Sequence, residues 1–160
     1  MAWIFEKLPS LLDTHRFRII EMYLTIARYS DQPMWNVLGT ASSPGCLDQF
    51  TRGADGRWLE YHPKKRVPVP LSTEFDTVFD RYLLYLNIEP DQPPPASALF
   101  PKEDSIGAYD SKGLLRILTS VRQTLADAAK ASNNPAISEA SEKILGLTMA
   151  LIRNRAPADD

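Results

Sequence analysis

Apolar residues recur at three- and four-residue steps in four separate stretches of the chain, the spacing that gathers them on one face of an α-helix. In the first, Phe17, Ile20, Leu24 and Ala27 form the stripe and Ile19, Tyr23 and Ile26 widen it, which predicts a core helix from His15 to Tyr29. Asp13 or Thr14 stands where a side-chain oxygen caps the free amides of a first turn, and Pro33 drives Gln32 out of helical geometry, so the helix ends near Asp31. The second stretch carries Phe75, Val78, Phe79, Tyr82, Leu83 and Leu86, opened by Thr73 and Asp76 as a capping box. The third runs from a Ser111 cap to about Ala131 with Leu114, Leu115, Leu118, Val121 and Leu125 as its buried stripe. A last helix from about Ser138 to Asn154 buries Ala140, Ile144, Leu147, Leu151 and Ile152, and residues Met1 to Leu12 form a short amphipathic lead.

The period changes between Gly56 and Pro70. Trp58, Glu60 and His62 alternate with Leu59 and Tyr61, which suits a pleated strand with two unlike faces. Pro63 interrupts it, Lys64, Lys65 and Arg66 fill the reversal, and Val67 and Val69 between prolines predict a short return strand at a sheet edge. Gly39 to Gly56, with Ser42-Ser43-Pro44-Gly45 and Gly53-Ala54-Asp55-Gly56, has turn residues and little periodicity and reads as loops. Pro90 and Pro93 to Pro95 form a stiff connector. The expected fold is α+β and mostly helical, a small antiparallel hairpin or three-stranded sheet packed on a helical core. All 160 residues form a single domain with a frayed end from about 155.

Charge sharpens the picture at the hairpin. From Arg52 to Arg66, Arg52, Arg57, Lys64, Lys65 and Arg66 face only Asp55 and Glu60, a positive window in a chain of net charge −2. A local patch for a polyanion and an ordinary solvated turn are both consistent with that composition. The overall charge weighs against a whole-surface nucleic-acid binder, so any such affinity is local. Glu74, Asp76, Asp80, Glu89 and Asp91 outweigh Arg81 around the second helix, which should therefore not lie on an anion. One cysteine, Cys46, and two histidines, His15 and His62, leave no disulfide and no metal-ligand spacing, and neither a signal peptide nor a spanning helix can be drawn. No cofactor, no metal, no membrane partner and a cytoplasmic location are the expectations. His62 beside Glu60 reads as strand packing rather than an acid–base pair, and Trp35 and Trp58 as core anchors.

In this order the elements resemble the catalytic domain of the tyrosine recombinases, the phage-integrase family, over nearly the whole chain. Tyr23-Leu24-Thr25-Ile26-Ala27-Arg28-Tyr29-Ser30-Asp31 is similar to the run that ends a family helix. The resemblance puts Arg28 on the family's first catalytic arginine, a phosphate clamp, and Asp31 on the acidic residue that supports it. A guanidinium suits that task because its fork matches two phosphate oxygens and stabilises charge growing in the transition state. Trp58 with the following Lys64, Lys65, Arg66-Val67-Pro68-Val69-Pro70 is similar to the family's strand, lysine turn and Val-Pro-Leu run, so Lys64 or Lys65 falls at the catalytic lysine. Leu99-Phe100-Pro101 also falls in family order.

The likeness stops where the family's chemistry is densest. Both histidines precede residue 63, so the late His-x-x-Arg motif is missing; Lys143 and Gly146 stand in its places. The last tyrosine is Tyr109, too early for the nucleophile. Without that hydroxyl no covalent phosphotyrosyl intermediate forms. The resemblance therefore implies a degenerate, C-terminally truncated recombinase-like domain, not a strand-exchange enzyme. It would contact DNA through Arg57, Lys64, Lys65 and Arg66 with Arg28, or assist a full-length recombinase in DNA recombination or integration. The alternative is a protein-interaction scaffold with no nucleic-acid contact.

Overall fold

The computed structural model describes residues 13–30, 32, 37–39, 42–61, 67–104, 107–133, 135–139, 141–142 and 146. Outside them lie the expected amphipathic lead, Asp31, Trp35, the expected hairpin tip from His62 to Arg66, Lys143 and most of the expected last helix. Within them the fold is α+β, with helices α1 (Thr14–Tyr29), α2 (Thr73–Tyr85) and α3 (Ser111–Ser132) and strands β1 (Phe50–Arg52), β2 (Trp58–Tyr61) and β3 (Pro68–Pro70).

Helix α1 is the centre of the core. Ile19, Ile20, Met22, Tyr23, Leu24 and Ile26 are buried nearly all round its circumference, because α1 packs on both α2 and α3. Asp13 is the cap, its carboxylate accepting from the Arg16 amide at 2.9 Å. Of the expected stripe only Ala27 stays half-buried.

The sheet is antiparallel in the order β1-β2-β3, with β3 and its prolines at an edge as the sequence predicts. Phe50 pairs with Glu60 and Arg52 with Trp58; on the other side Glu60 pairs with Val69 and Tyr61 with Pro68. β1 is a departure from the expected loop. Leu47–Gln49 make one 3₁₀ turn, then Phe50 enters the strand and buries completely. A strand of three residues shows no alternation in sequence; its partner supplies the reason it forms. The β1–β2 turn closes on Gly56, whose φ of 83° lies in the left-handed region that a side chain disfavours.

One face of the sheet lies on α2 through an aromatic cluster. Trp58 meets Phe79 edge-on at 4.6 Å, Phe50 touches Phe75 at 5.2 Å and Phe79 at 5.1 Å, and all four rings are buried. The irregular segment beyond the proline connector is sewn under this layer: Leu99 donates to Gly45, and the Tyr82 hydroxyl donates to the Leu99 carbonyl.

Two caps differ from the sequence reading. Ser72, not Thr73, caps α2, accepting from the Phe75 amide at 2.9 Å from an extended backbone, while Asp76 turns away from the helix toward the sheet. Asp110, not Ser111, caps α3, accepting from the Gly113 amide at 2.8 Å. In each case the neighbour one residue earlier holds the extended geometry a cap needs. α3 ends at Asn133, with φ of 51°, and residues 135–139 are helical again. This last helical stretch thus starts before Ser138, because Pro135 is tolerated in a first turn, where its missing N–H has no intrahelical partner to lose.

Candidate nucleic-acid interface

Arg28 lies in the last turn of α1, exposed, with its guanidinium 5.3 Å from the centre of the Tyr29 ring. The next residue but one, Ser30, ends the helix: its amide donates to Ile26 at 2.8 Å. The Ser30 hydroxyl donates to Glu60 Oε1 at 2.7 Å and accepts from the Gln32 amide at 3.1 Å. Glu60 is 1% exposed and sits one residue before the end of β2. The terminus of α1 that carries Arg28 therefore meets the strand end that leads into the connection holding Lys64, Lys65 and Arg66. Asp31 and those tip residues themselves lie outside the described residues.

Arg57 is elsewhere. It precedes β2, at the end away from the tip, about 13 Å along the strand from Tyr61 at the usual rise. Its Nε donates to Asp76, whose other oxygen accepts from the Trp58 amide at 3.1 Å. Arg52, opposite Trp58, donates to Asp80 at 2.6 Å and to the carbonyls of Pro90 and Gly56, and lies over the Trp58 ring at 4.6 Å. Asp80 also accepts from the Trp58 indole at 2.8 Å. The positive window counted along the chain is thus divided: Arg52 and Arg57 are matched by carboxylates of α2. The acidic helix and the cationic segment are apart in the chain, and only packing brings them face to face. The signal available in sequence was Asp76 and Asp80 at i and i+4, which puts two carboxylates on one helix face.

A second polar cluster gathers at the other end of α1. His15 is 6% exposed; its Nε2 donates to the Pro101 carbonyl at 3.0 Å, and its Nδ1 shares a hydrogen bond of 2.7 Å with the Tyr85 hydroxyl. A carbonyl only accepts, so Nε2 carries a proton in this arrangement. The Tyr85 and Tyr109 phenols are both pushed upward, by burial first and then by the negative charge of Glu103. Both nitrogens of His15 are engaged in joining α1, α2 and the segment at Pro101, a structural clasp. Sequence reasoning gave this histidine no role beyond excluding a metal.

Cys46 is half-buried, its thiol donating to the Pro44 carbonyl at 3.4 Å. Among the described residues no group of three or more His, Cys, Asp or Glu converges to hold a metal ion, and no helix is long and apolar enough to cross a membrane.

No protein-family model, no curated protein and no solved structure matches this chain.

Proposed function

We propose that this protein is a recombinase-like DNA-binding domain whose contact with the phosphate backbone centres on Arg28 and the tip residues Lys64, Lys65 and Arg66, and that it does not cleave strands. The observation that carries the reading is the Ser30–Glu60 hydrogen bond, which joins the Arg28 end of α1 to the tip end of β2. The order helix, antiparallel sheet, helix fits the α+β class expected from the sequence. Within it, Arg28 serves as a phosphate clamp supported by Asp31, and a tip lysine as a second point charge. With Lys143 and Gly146 at the places of the family's His-x-x-Arg motif, the domain acts by binding, alone or beside a full-length recombinase.

A salt titration of duplex-DNA binding tests this. Three or four neutralised phosphates give a slope of about −3 in log K against log salt. Lys64→Ala, Lys65→Ala and Arg66→Ala together, or Arg28→Ala alone, should flatten it. Arg57→Ala should not, because Asp76 already holds that guanidinium. Absence of binding at low salt, or equal losses from Arg57→Ala and the tip variant, would overturn the proposal.

One observation favours a protein-interaction scaffold instead: the Arg52–Asp80 and Arg57–Asp76 pairs spend on α2 two cations that a DNA-binding sheet would present outward. Under that reading the salt titration is flat, and light scattering after gel filtration detects association of the folded chain.

A further inference from the structure

We infer that the proline connector after α2, residues 92–96, is a docking segment for a partner protein that reads a polyproline II helix in an aromatic-lined groove. The chain itself restricts this stretch. Each proline ring fixes φ at about −65°, and Gln92, Pro93 and Pro94 each precede a proline, which drives all three to extended geometry. Residues 93–95 belong to no helix, strand or turn, and no peptide bond there is cis. Residues held in this way form a left-handed helix with three residues per turn, about 12 Å from Gln92 to Ala96.

Exposure follows that period. Gln92 and Pro95 share one edge of such a helix, Pro93 and Ala96 a second, and all four are exposed, while Pro94 on the third edge is half-buried. Two edges carrying proline rings therefore face solvent, the surface that a polyproline groove takes against its aromatic side chains. Among the described residues nothing donates to the carbonyls of Gln92, Pro93, Pro94, Pro95 or Ala96, so these remain to accept from a partner. Both ends of the segment are tied. The Pro90 carbonyl accepts from Arg52 Nε at 3.1 Å, the Gln92 amide donates to the Glu89 carbonyl at 3.1 Å, and the Ser97 carbonyl accepts from the Leu47 amide at 2.9 Å. A segment already held in extended form loses little conformational freedom on docking.

Charge describes the rim of the partner's groove. Glu89 and Asp91 at the entry, and Asp48 beside Leu47 at the exit, are exposed and form no ion pair among the described residues. Arg52, the cation at Pro90, is matched by Asp80. A groove with lysine or arginine beside its aromatic residues complements this surface. The segment is distinct from the Arg28 corner and serves whether or not the tip binds DNA.

The probe is a panel of isolated SH3 and WW domains, which carry such grooves, titrated into the full chain and followed by nitrogen–proton NMR. At least one domain should shift the amide signals of Gln92, Ala96 and Ser97 with saturation and leave that of Arg57 unmoved. Pro93→Ala with Pro95→Ala should weaken this complex by about tenfold or more, the loss expected of two anchoring rings. Pro68→Ala with Pro70→Ala, at the β3 edge, should leave it intact. Glu89→Gln with Asp91→Asn should weaken it at low salt and reduce its salt dependence. No saturable shift with any domain overturns the inference, as do shifts that map elsewhere or a complex unaffected by loss of both rings. The titration of the unsubstituted chain decides the matter even if a proline variant fails to fold.

Discussion

The guanidinium of Arg57 and the carboxylate of Asp76, nineteen residues apart, form the ion pair that ties the start of β2 to the first turn of α2. Asp76 spends its second oxygen on the Trp58 amide. Asp76→Ala therefore removes a charged acceptor from a backbone donor as well as the pair, and should cost about 2–3 kcal/mol in urea denaturation. Arg57→Ala should cost less, about 1 kcal/mol, because that side chain is one-third exposed. Equal costs would mean the Trp58 amide finds another acceptor.

Ser30→Ala takes the hydroxyl donor from a buried carboxylate. The expected loss is about 1–3 kcal/mol, the range for removing one hydrogen bond to a charged group. Hydrogen exchange at the Gln32 amide, which donates to the same hydroxyl, should accelerate in the variant. An unchanged rate and stability would show that the end of α1 is held by other contacts.

Trp58→Phe keeps the ring against Phe79 and loses the indole bond to Asp80 and part of the buried volume. We expect about 1–3 kcal/mol of destabilisation. Arg52→Ala, losing a part-exposed pair and a cation–π contact, should fall nearer 1 kcal/mol. Thermal unfolding of the two variants side by side checks the order.

Stability should fall in alkali from about pH 10. Burial pushes the Tyr23 phenol from 10.0 up to about 12, and burial raises Tyr82 as well. The unfolded chain loses these protons first, so the stabilisation is complete below pH 10 and disappears as pH rises through the folded value. For Tyr23 alone the shift corresponds to about 3 kcal/mol. Tyrosinate absorbance should show these two phenols ionising only with loss of helical circular dichroism; ionisation ahead of unfolding contradicts their burial.

In acid the Asp13 cap contributes. Partial burial pushes its carboxyl up, but the Arg16 amide and guanidinium outweigh that and hold it below the usual 3.8. The contribution is present above that value and is lost as pH falls below it. Asp13→Ala should cost about 1 kcal/mol near neutrality, with the gap to the parent closing below pH 4 in a melting-temperature series.

Long periodic segments were legible in the chain because a helix face is written in residues close together. Phe75, Val78, Phe79, Tyr82 and Leu83 declare the buried side of α2, and Trp58 and the edge prolines declare β2 and β3. Phe50 was not legible as a strand residue, since a three-residue strand exists only by virtue of its partner. The Arg28 corner was half legible: the motif is local, but its approach to β2 depends on Ser30 reaching across to Glu60.

The amino-acid order alone determined the α+β class, the core faces of α1, α2 and α3 and the edge position of β3, because these follow from spacing and from the geometry of proline. Tertiary structure alone decided which charges remain to act on a ligand. Arg52 and Arg57 read as part of a cationic window, yet they face Asp80 and Asp76, while Arg18 and Arg81 share one buried Glu21. An electrostatic field depends on distances in space, and those are set only when helices and sheet dock.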